Sequence, residues 1–139
     1  MANYYKDNDD LQYYVEKGID WEPLVEATEH GFRQDDGFDN TEEAVSFYRD
    51  ILEMVGEFVA EEIAPRAAAI DRTGVKLDNG EAVLPKEEDE VFDRIRELDL
   101  HGMNLPRELG GMNAPLILYF LNTEVMGRAD VSVMAHHSF

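Results

Sequence analysis

Thirty-one carboxylates and four histidines hold most of the chemistry open to this sequence of 139 residues. With no cysteine, thiolate zinc sites, iron–sulfur clusters, disulfides and a cysteine nucleophile are all excluded. The run Asp35-Asp36-Gly37-Phe38-Asp39 lacks the glycine spacing and distal glutamate of a calcium loop, so it reads as a solvated acidic loop. A di-iron bundle needs a glutamate three residues before a histidine, and those positions hold Ala27, Leu98, Val133 and Met134. His136 and His137 are neighbours in sequence, so on a helix they point about 100° apart, a poor geometry for one metal. There is no Gly-x-Ser-x-Gly elbow, phosphate loop or Gly-x-Gly-x-x-Gly turn, and Gly110-Gly111 follows a helix and loop rather than a strand. From the residues alone, no catalytic, cofactor-binding or metal-ligating set stands out.

The balance of 31 acidic against 12 basic residues gives a net charge of −19, which repels phosphate backbones and anionic lipid. No nucleic acid and no membrane surface is expected as partner. With 44% hydrophobic and 31% charged residues, the composition is that of a soluble globular domain. The longest apolar run, residues 114–121, is far short of the roughly 20 needed to span a bilayer. The polar, acidic opening is unlike the basic and then apolar plan of a secretory signal, so a cytoplasmic protein is expected.

The elements that must position any site follow from periodicity. Leu11, Tyr14 and Val15 predict a short amphipathic helix stopped at Gly18. A second helix, with Trp21, Leu24, Val25 and Thr28 on one face, is expected to be capped by Asp20 and to end at Gly31. Val45, Tyr48, Leu52, Val55, Val59 and Ile63 recur at three- and four-residue steps, with Ile51, Met54 and Phe58 widening the stripe. That predicts a long helix capped by Asn40, with the Glu43 carboxylate reaching back to the Asn40 amide, and with an end or a kink at Pro65. Val75, Leu77, Ala82 and Leu84 around Asn79-Gly80 predict a hairpin with a primed turn. Pro85 starts a helix with Glu87, Glu88 and Asp89 in its first turn, and Val91, Ile95 and Leu98 inward; Gly102 is its expected stop. Asn113 is the expected cap of a helix that is apolar on most sides, from Leu116 to Leu121, and Asp130 that of a last helix through Val133 and Met134. The fold class is all-α, an orthogonal or up-down bundle of about five to six helices with a minor β-hairpin near residues 75–84.

The run Gly102-Met103-Asn104-Leu105-Pro106-Arg107-Glu108-Leu109-Gly110-Gly111-Met112 precedes the apolar helix, and Glu124-Val125-Met126-Gly127-Arg128-Ala129-Asp130-Val131-Ser132 follows it. This ordered set resembles the amino-terminal helical domain of the flavin-dependent acyl-CoA dehydrogenases, with their Leu-Pro-x-x-x-Gly-Gly turn and Asp-x-Ser-like helix start. Ile63-Ala64-Pro65-Arg66-Ala67 is similar to the end of an early helix of that family. The resemblance covers roughly residues 40–139, read as the incomplete family domain, and residues 1–39 are read as an amino-terminal helical extension like that of larger bacterial members.

The resemblance implies α,β-desaturation of an acyl-CoA thioester in a parent enzyme, where a carboxylate takes the α proton and FAD accepts the β hydride. It also implies partners: a β domain and a carboxy-terminal helical domain of the same polypeptide, an electron-transfer flavoprotein, and further copies in a homo-oligomer. No counterpart of the family's catalytic glutamate or flavin site is found in these residues, so the chain is expected to be a fragment, inactive alone and without bound FAD. Its contribution, by resemblance, is one wall of the acyl-chain cavity, with Met134, His137 and Ser138 nearest to it. Met134 has the adaptable apolar side chain that an alkyl chain favours, and His137 suits a short, branched or polar acyl end. Phe139, an aromatic that would prefer burial at an uncapped end, points the same way. The alternative is a freestanding acidic helical interaction module with an apolar groove for a partner helix. A small acidic metal-buffering protein is the third reading.

Overall fold

A computed structural model describes residues 2–33 and 35–138, and the expectation attached to Phe139 lies outside them. Seven α-helical segments occur in chain order: α1 (Asp9–Tyr13), α2 (Trp21–Thr28), α3 (Thr41–Phe58), α4 (Ala64–Thr73), α5 (Lys86–Glu97), α6 (Leu116–Gly127) and α7 (Val131–Ser138). Strands β1 (Lys76–Asp78) and β2 (Glu81–Val83) form one antiparallel hairpin between α4 and α5. The class is all-α with a minor hairpin, as the periodicity implies.

Helix α3 is the spine, because its stripe is broad enough to be covered on two sides. Ala44, Val45, Tyr48, Ile51, Leu52, Val55 and Phe58 are buried along it, and α2 and α6 both pack against it. Tyr5, Leu11, Val15, Trp21 and Val25 belong to the same core cluster as Leu118, Leu121, Val125 and Val133, so the first forty residues share one core with the rest. Two local links hold them there. The Trp21 indole donates to the Val15 carbonyl at 2.8 Å, and Asn3 seats on α3, its side-chain amide donating to the Glu53 carbonyl at 2.9 Å. Gly56 makes room for that seat: a Cβ there would lie 2.0 Å from Asn3 Oδ1.

The helix passes through Pro65 rather than ending before it. A π-helical turn, Val59–Ile63, intervenes, in which the Ala64 amide bonds the Val59 carbonyl, and α4 continues from it. The wider turn takes up the ring and the missing amide of the proline. The primed hairpin turn forms as expected, with Asn79 and Gly80 at φ of 50° and 87°. Its strands are exposed throughout.

Several terminal signals act differently from expectation. Asn40 caps α3, accepting from the Glu43 amide at 3.0 Å, but the Glu43 carboxylate accepts from the Asp39 amide, one residue further out than the Asn40 amide. Asp20 stands at the cap position of α2 and its side chain makes no capping bond; Thr28 closes that helix ahead of Gly31. Helix α5 stops at Glu97 because Asp99 takes the left-handed conformation, φ 55°, well before Gly102. Pro115, not Asn113, occupies the cap position of α6, since the Asn113 side chain is drawn away to the Thr28 carbonyl at 2.9 Å. Asp130 does cap α7, accepting from the Ser132 and Val133 amides at 2.8 and 3.0 Å.

Candidate functional site

The residues that the sequence nominates lie on α7, which follows α6 after a short turn and makes with it the most extensive element contact among the described residues. α6 carries apolar residues all round: Leu118, Leu121, Val125 and Met126 face the core, while Leu116 and Phe120 remain 59% and 55% exposed. Val131 at the start of α7 is 64% exposed beside them. Between the two helices runs an open groove of about 330 Å³ lined by Phe120, Thr123, Glu124, Gly127, Val131 and Met134 among others. Gly127 faces Met134, and a Cβ added there would stand 3.5 Å from Met134 Cγ, an ordinary van der Waals contact.

Of the three nominated side chains, Met134 alone lines this groove. Ser138 lies one turn further on and its hydroxyl donates back to the Met134 carbonyl at 2.7 Å, within 3.6 Å of the Met134 sulfur. His137 turns into the helix pair: its Nε2 is 3.2 Å from Asn122 Nδ2, and its ring lies 6.4 Å from that of Tyr119. Burial, and then the charge of His101, hold the His137 imidazole below its ordinary pKa, so it is neutral at pH 7. Asn122 is fully buried and its Oδ1 finds no partner among the described residues. The Tyr119 hydroxyl donates to the Ser138 carbonyl at 2.9 Å, closing the end of α7 that lacks a glycine or proline stop.

On the other face of α7, His136 Nδ1 meets Glu88 Oε1 at 2.6 Å. Glu88 is 1% exposed, in the first turn of α5, where composition pointed to a solvated face. A carboxylate that orients an imidazole is half of a nucleophile-activating set. The other half is absent among the described residues, because the Ser132 hydroxyl, one turn from His136 on α7, is committed to Asp130 Oδ1. The pair is a structural clasp between α5 and α7. No group of three or more metal-ligating side chains comes together among the described residues.

An acidic all-α domain with a Leu-Pro…Gly-Gly reversal feeding an apolar helix, a capping aspartate and a closing helix defines a class of enzyme module. The model of the acyl-CoA dehydrogenase N-terminal domain matches residues 47–139, and the chain belongs to that family. Among its relatives is the 3-methylmercaptopropionyl-CoA dehydrogenase of Ruegeria pomeroyi, 31% identical over 125 residues, 88% of this chain and 19% of that protein. That span is longer than residues 47–139, so the likeness reaches into the amino-terminal helices. A probable acyl-CoA dehydrogenase of Bacillus subtilis is 35% identical over 57% of this chain and 18% of its own length. The mitochondrial isovaleryl-CoA dehydrogenase of Oryza sativa is 32% identical over 69% of this chain and 20% of its own. The chain spans about a fifth of the length of the curated relatives it matches.

The flavin that the family implies requires a seat for a doubly charged pyrophosphate, which helix amino termini commonly provide. Here the first turn of α3 carries Glu42 and Glu43, that of α5 carries Glu87, Glu88 and Asp89, and the free amides of α7 are taken by Asp130. α6 opens with Pro115-Leu116-Ile117, which offer no cation or hydroxyl. Arg107, a largely buried cation, is engaged by Glu29. These helix termini and Arg107 do not fit the pyrophosphate. Among them, no helix is long and apolar enough to cross a membrane.

Proposed function

We propose that this chain acts as the amino-terminal helical part of an FAD-dependent acyl-CoA dehydrogenase, in which an acyl thioester is desaturated between its α and β carbons. Residues 40–139 are the domain proper, residues 1–39 its extension, and the whole works in the cytoplasm. The observation that carries this reading is the α6–α7 pair, whose groove is floored by Met134 and Phe120 and whose outward residues Leu116, Phe120 and Val131 are apolar and uncovered. Such a face favours an alkyl chain on one side and a covering domain on the other. In this reading Met134 supplies the wall's apolar contact in the groove, and His137 and Ser138 complete the wall beyond the groove, at the last turn of α7. His137, half-buried against Asn122 of α6, sets a polar limit to the acyl end, which favours short, branched or thioether acyl groups. Relatives named for isovaleryl-CoA and 3-methylmercaptopropionyl-CoA accord with a short acyl chain.

The partners in this reading are a β domain, a carboxy-terminal helical domain, an acyl-CoA substrate, an electron-transfer flavoprotein and further copies of the enzyme. The chain alone is inactive and takes up no FAD. Purification of the protein encoded by the complete gene, followed by addition of isovaleryl-CoA, 3-methylmercaptopropionyl-CoA and palmitoyl-CoA, tests the proposal. Copurified flavin that bleaches with the short thioesters and poorly with palmitoyl-CoA is expected. Absence of flavin, or flavin inert to all three, removes the reading.

A further inference from the structure

Two loops 78 residues apart meet at a junction whose chemistry the reading above does not use. On one side, His30, Gly31 and Phe32 take φ of 50°, 68° and 57°, three consecutive residues in left-handed backbone, two of them with side chains that disfavour it. On the other, Gly110 and Asn113 take φ of 84° and 54° around the reversal. Such strain persists only where surrounding contacts hold it. Phe32 and Phe38 pack on the core, Phe38 beside the rings of Phe47 and Tyr48 on α3, while the polar contacts that join the two loops to one another are few and specific. Glu29, completely buried, receives Arg107 through two parallel bonds, Nη2 to Oε1 at 2.7 Å and Nη1 to Oε2 at 2.9 Å. The Phe38 amide donates to the same Oε2 at 3.3 Å, and the guanidinium lies 5.2 Å from the centre of the Phe38 ring. The Asn113 side-chain Nδ2 donates to the Thr28 carbonyl at 2.9 Å. Towards solvent, a cleft of about 200 Å³ lined by His30, Asp36, Pro106, Arg107, Glu108 and Asn113 separates the loops, so these bonds carry the connection.

We propose that Glu29 and Arg107, with Asn113 on Thr28, form a latch that makes residues 28–38 and the reversal at 104–114 open and close as one cooperative unit, independently of the α3 core. A buried bidentate pair suits this role because either charge left alone is costly, so neither loop can leave without the other. The reversal in turn holds the entry to α6: the Asn113 amide bonds the Leu105 carbonyl and the Ala114 amide the Met103 carbonyl. The amino-terminal helices thereby set where α6 begins.

Native-state amide hydrogen exchange on the full protein tests the latch. Its reporters are the Glu29, Gly31 and Phe32 amides on one side and the Gly111, Asn113 and Ala114 amides on the other, all hydrogen-bonded to backbone carbonyls. With Glu29→Gln, exchange in both groups is expected to accelerate together by about a hundredfold, while amides inside α3 stay within about threefold of the parent. Acceleration confined to one group, no acceleration in either, or an equal rise throughout α3 overturns the proposal. Should Glu29→Gln fail to fold, Asn113→Gly keeps the left-handed backbone and deletes only the bond to Thr28. It is expected to accelerate both groups by about fivefold, and the same three contrary outcomes overturn the latch.

Discussion

The Glu29–Arg107 junction and the α6–α7 face are built on opposite plans. At the junction a full charge is taken out of water and both of its oxygens are bonded. On the α6–α7 face the polar interior is neutral and incompletely bonded, with Asn122 Oδ1 unpartnered, while apolar Leu116, Phe120 and Val131 face outward. A buried ion pair is intolerant of loss and specifies one geometry. An apolar face with a loose polar interior tolerates change and gains stability by being covered. One region therefore fixes the domain, and the other is left for contact.

The largest test of this contrast removes the cation. Arg107→Ala leaves the Glu29 carboxyl buried without its partner, and it is expected to cost about 3–5 kcal/mol, visible in chemical denaturation as a lower midpoint. A cost under about 1 kcal/mol would show that water reaches Glu29 and that the junction is no different from the outer face. Next in size is Gly111→Ala in the reversal. The added Cβ would lie 2.1 Å from the Leu105 carbonyl oxygen, and since backbone must move, about 3 kcal/mol of destabilisation is expected in the same measurement.

Tyr48 sharpens the comparison from within the junction. It is 1% exposed, its hydroxyl makes no hydrogen bond of normal geometry among the described residues, with Thr28 the nearest hydroxyl to act on it, and burial, followed by the charge of Glu29, pushes its pKa up to about 12. Tyr48→Phe deletes an unsatisfied donor, so stability is expected to hold or to rise by about 1 kcal/mol. A fall in the denaturation midpoint would reveal a hydrogen bond there.

His137 gives the α6–α7 side its own signature. Its folded pKa lies below the unfolded value of about 6.5. Above that pH the imidazole is neutral in both states and its contribution is complete. As pH falls through 6.5, the unfolded chain takes up the proton first, and stability is lost until the folded group also titrates. Thermal unfolding from pH 8 to 5 is expected to show this loss, and His137→Gln to flatten that part of the profile. An identical slope in the variant would assign the titration elsewhere. Smallest of all is Phe120→Ser on the outer face, expected to shift stability by about 0.5 kcal/mol or less while reducing binding of a hydrophobic dye.

Much of this was legible where signals are local. The stripe on α3, the Asn79-Gly80 turn, the Asp130 cap and the Leu-Pro…Gly-Gly reversal each draw on residues within about a turn of one another. The junction was not legible, since nothing near Glu29 marks it as different from the other thirty acids, and its partner is 78 residues away. The same distance effect explains Asn113, whose side chain leaves a local capping role for a carbonyl 85 residues back in the chain. Glu88 was misjudged for the same reason: first-turn carboxylates suit the helix dipole wherever they point, and only α7 decides that this one is covered. For Met134, His137 and Ser138, the resemblance nominated the positions but not which of them turns inward, because Asn122 contacts His137 from α6 and Tyr119 bonds the Ser138 carbonyl.

The wide turn at Val59–Ile63 inserts one residue relative to an unbroken α-helix, which rotates everything after it by about 100°. Ile70 on α4 is 3% exposed, and α4 packs against α5 in the orientation that this rotation sets. Removing any single residue from this turn would therefore do more than shorten the chain. It would carry α4, the hairpin and α5 round by that angle and set the Pro65 ring against a carbonyl, so this stretch should accept exchanges of side chain far more readily than changes of length.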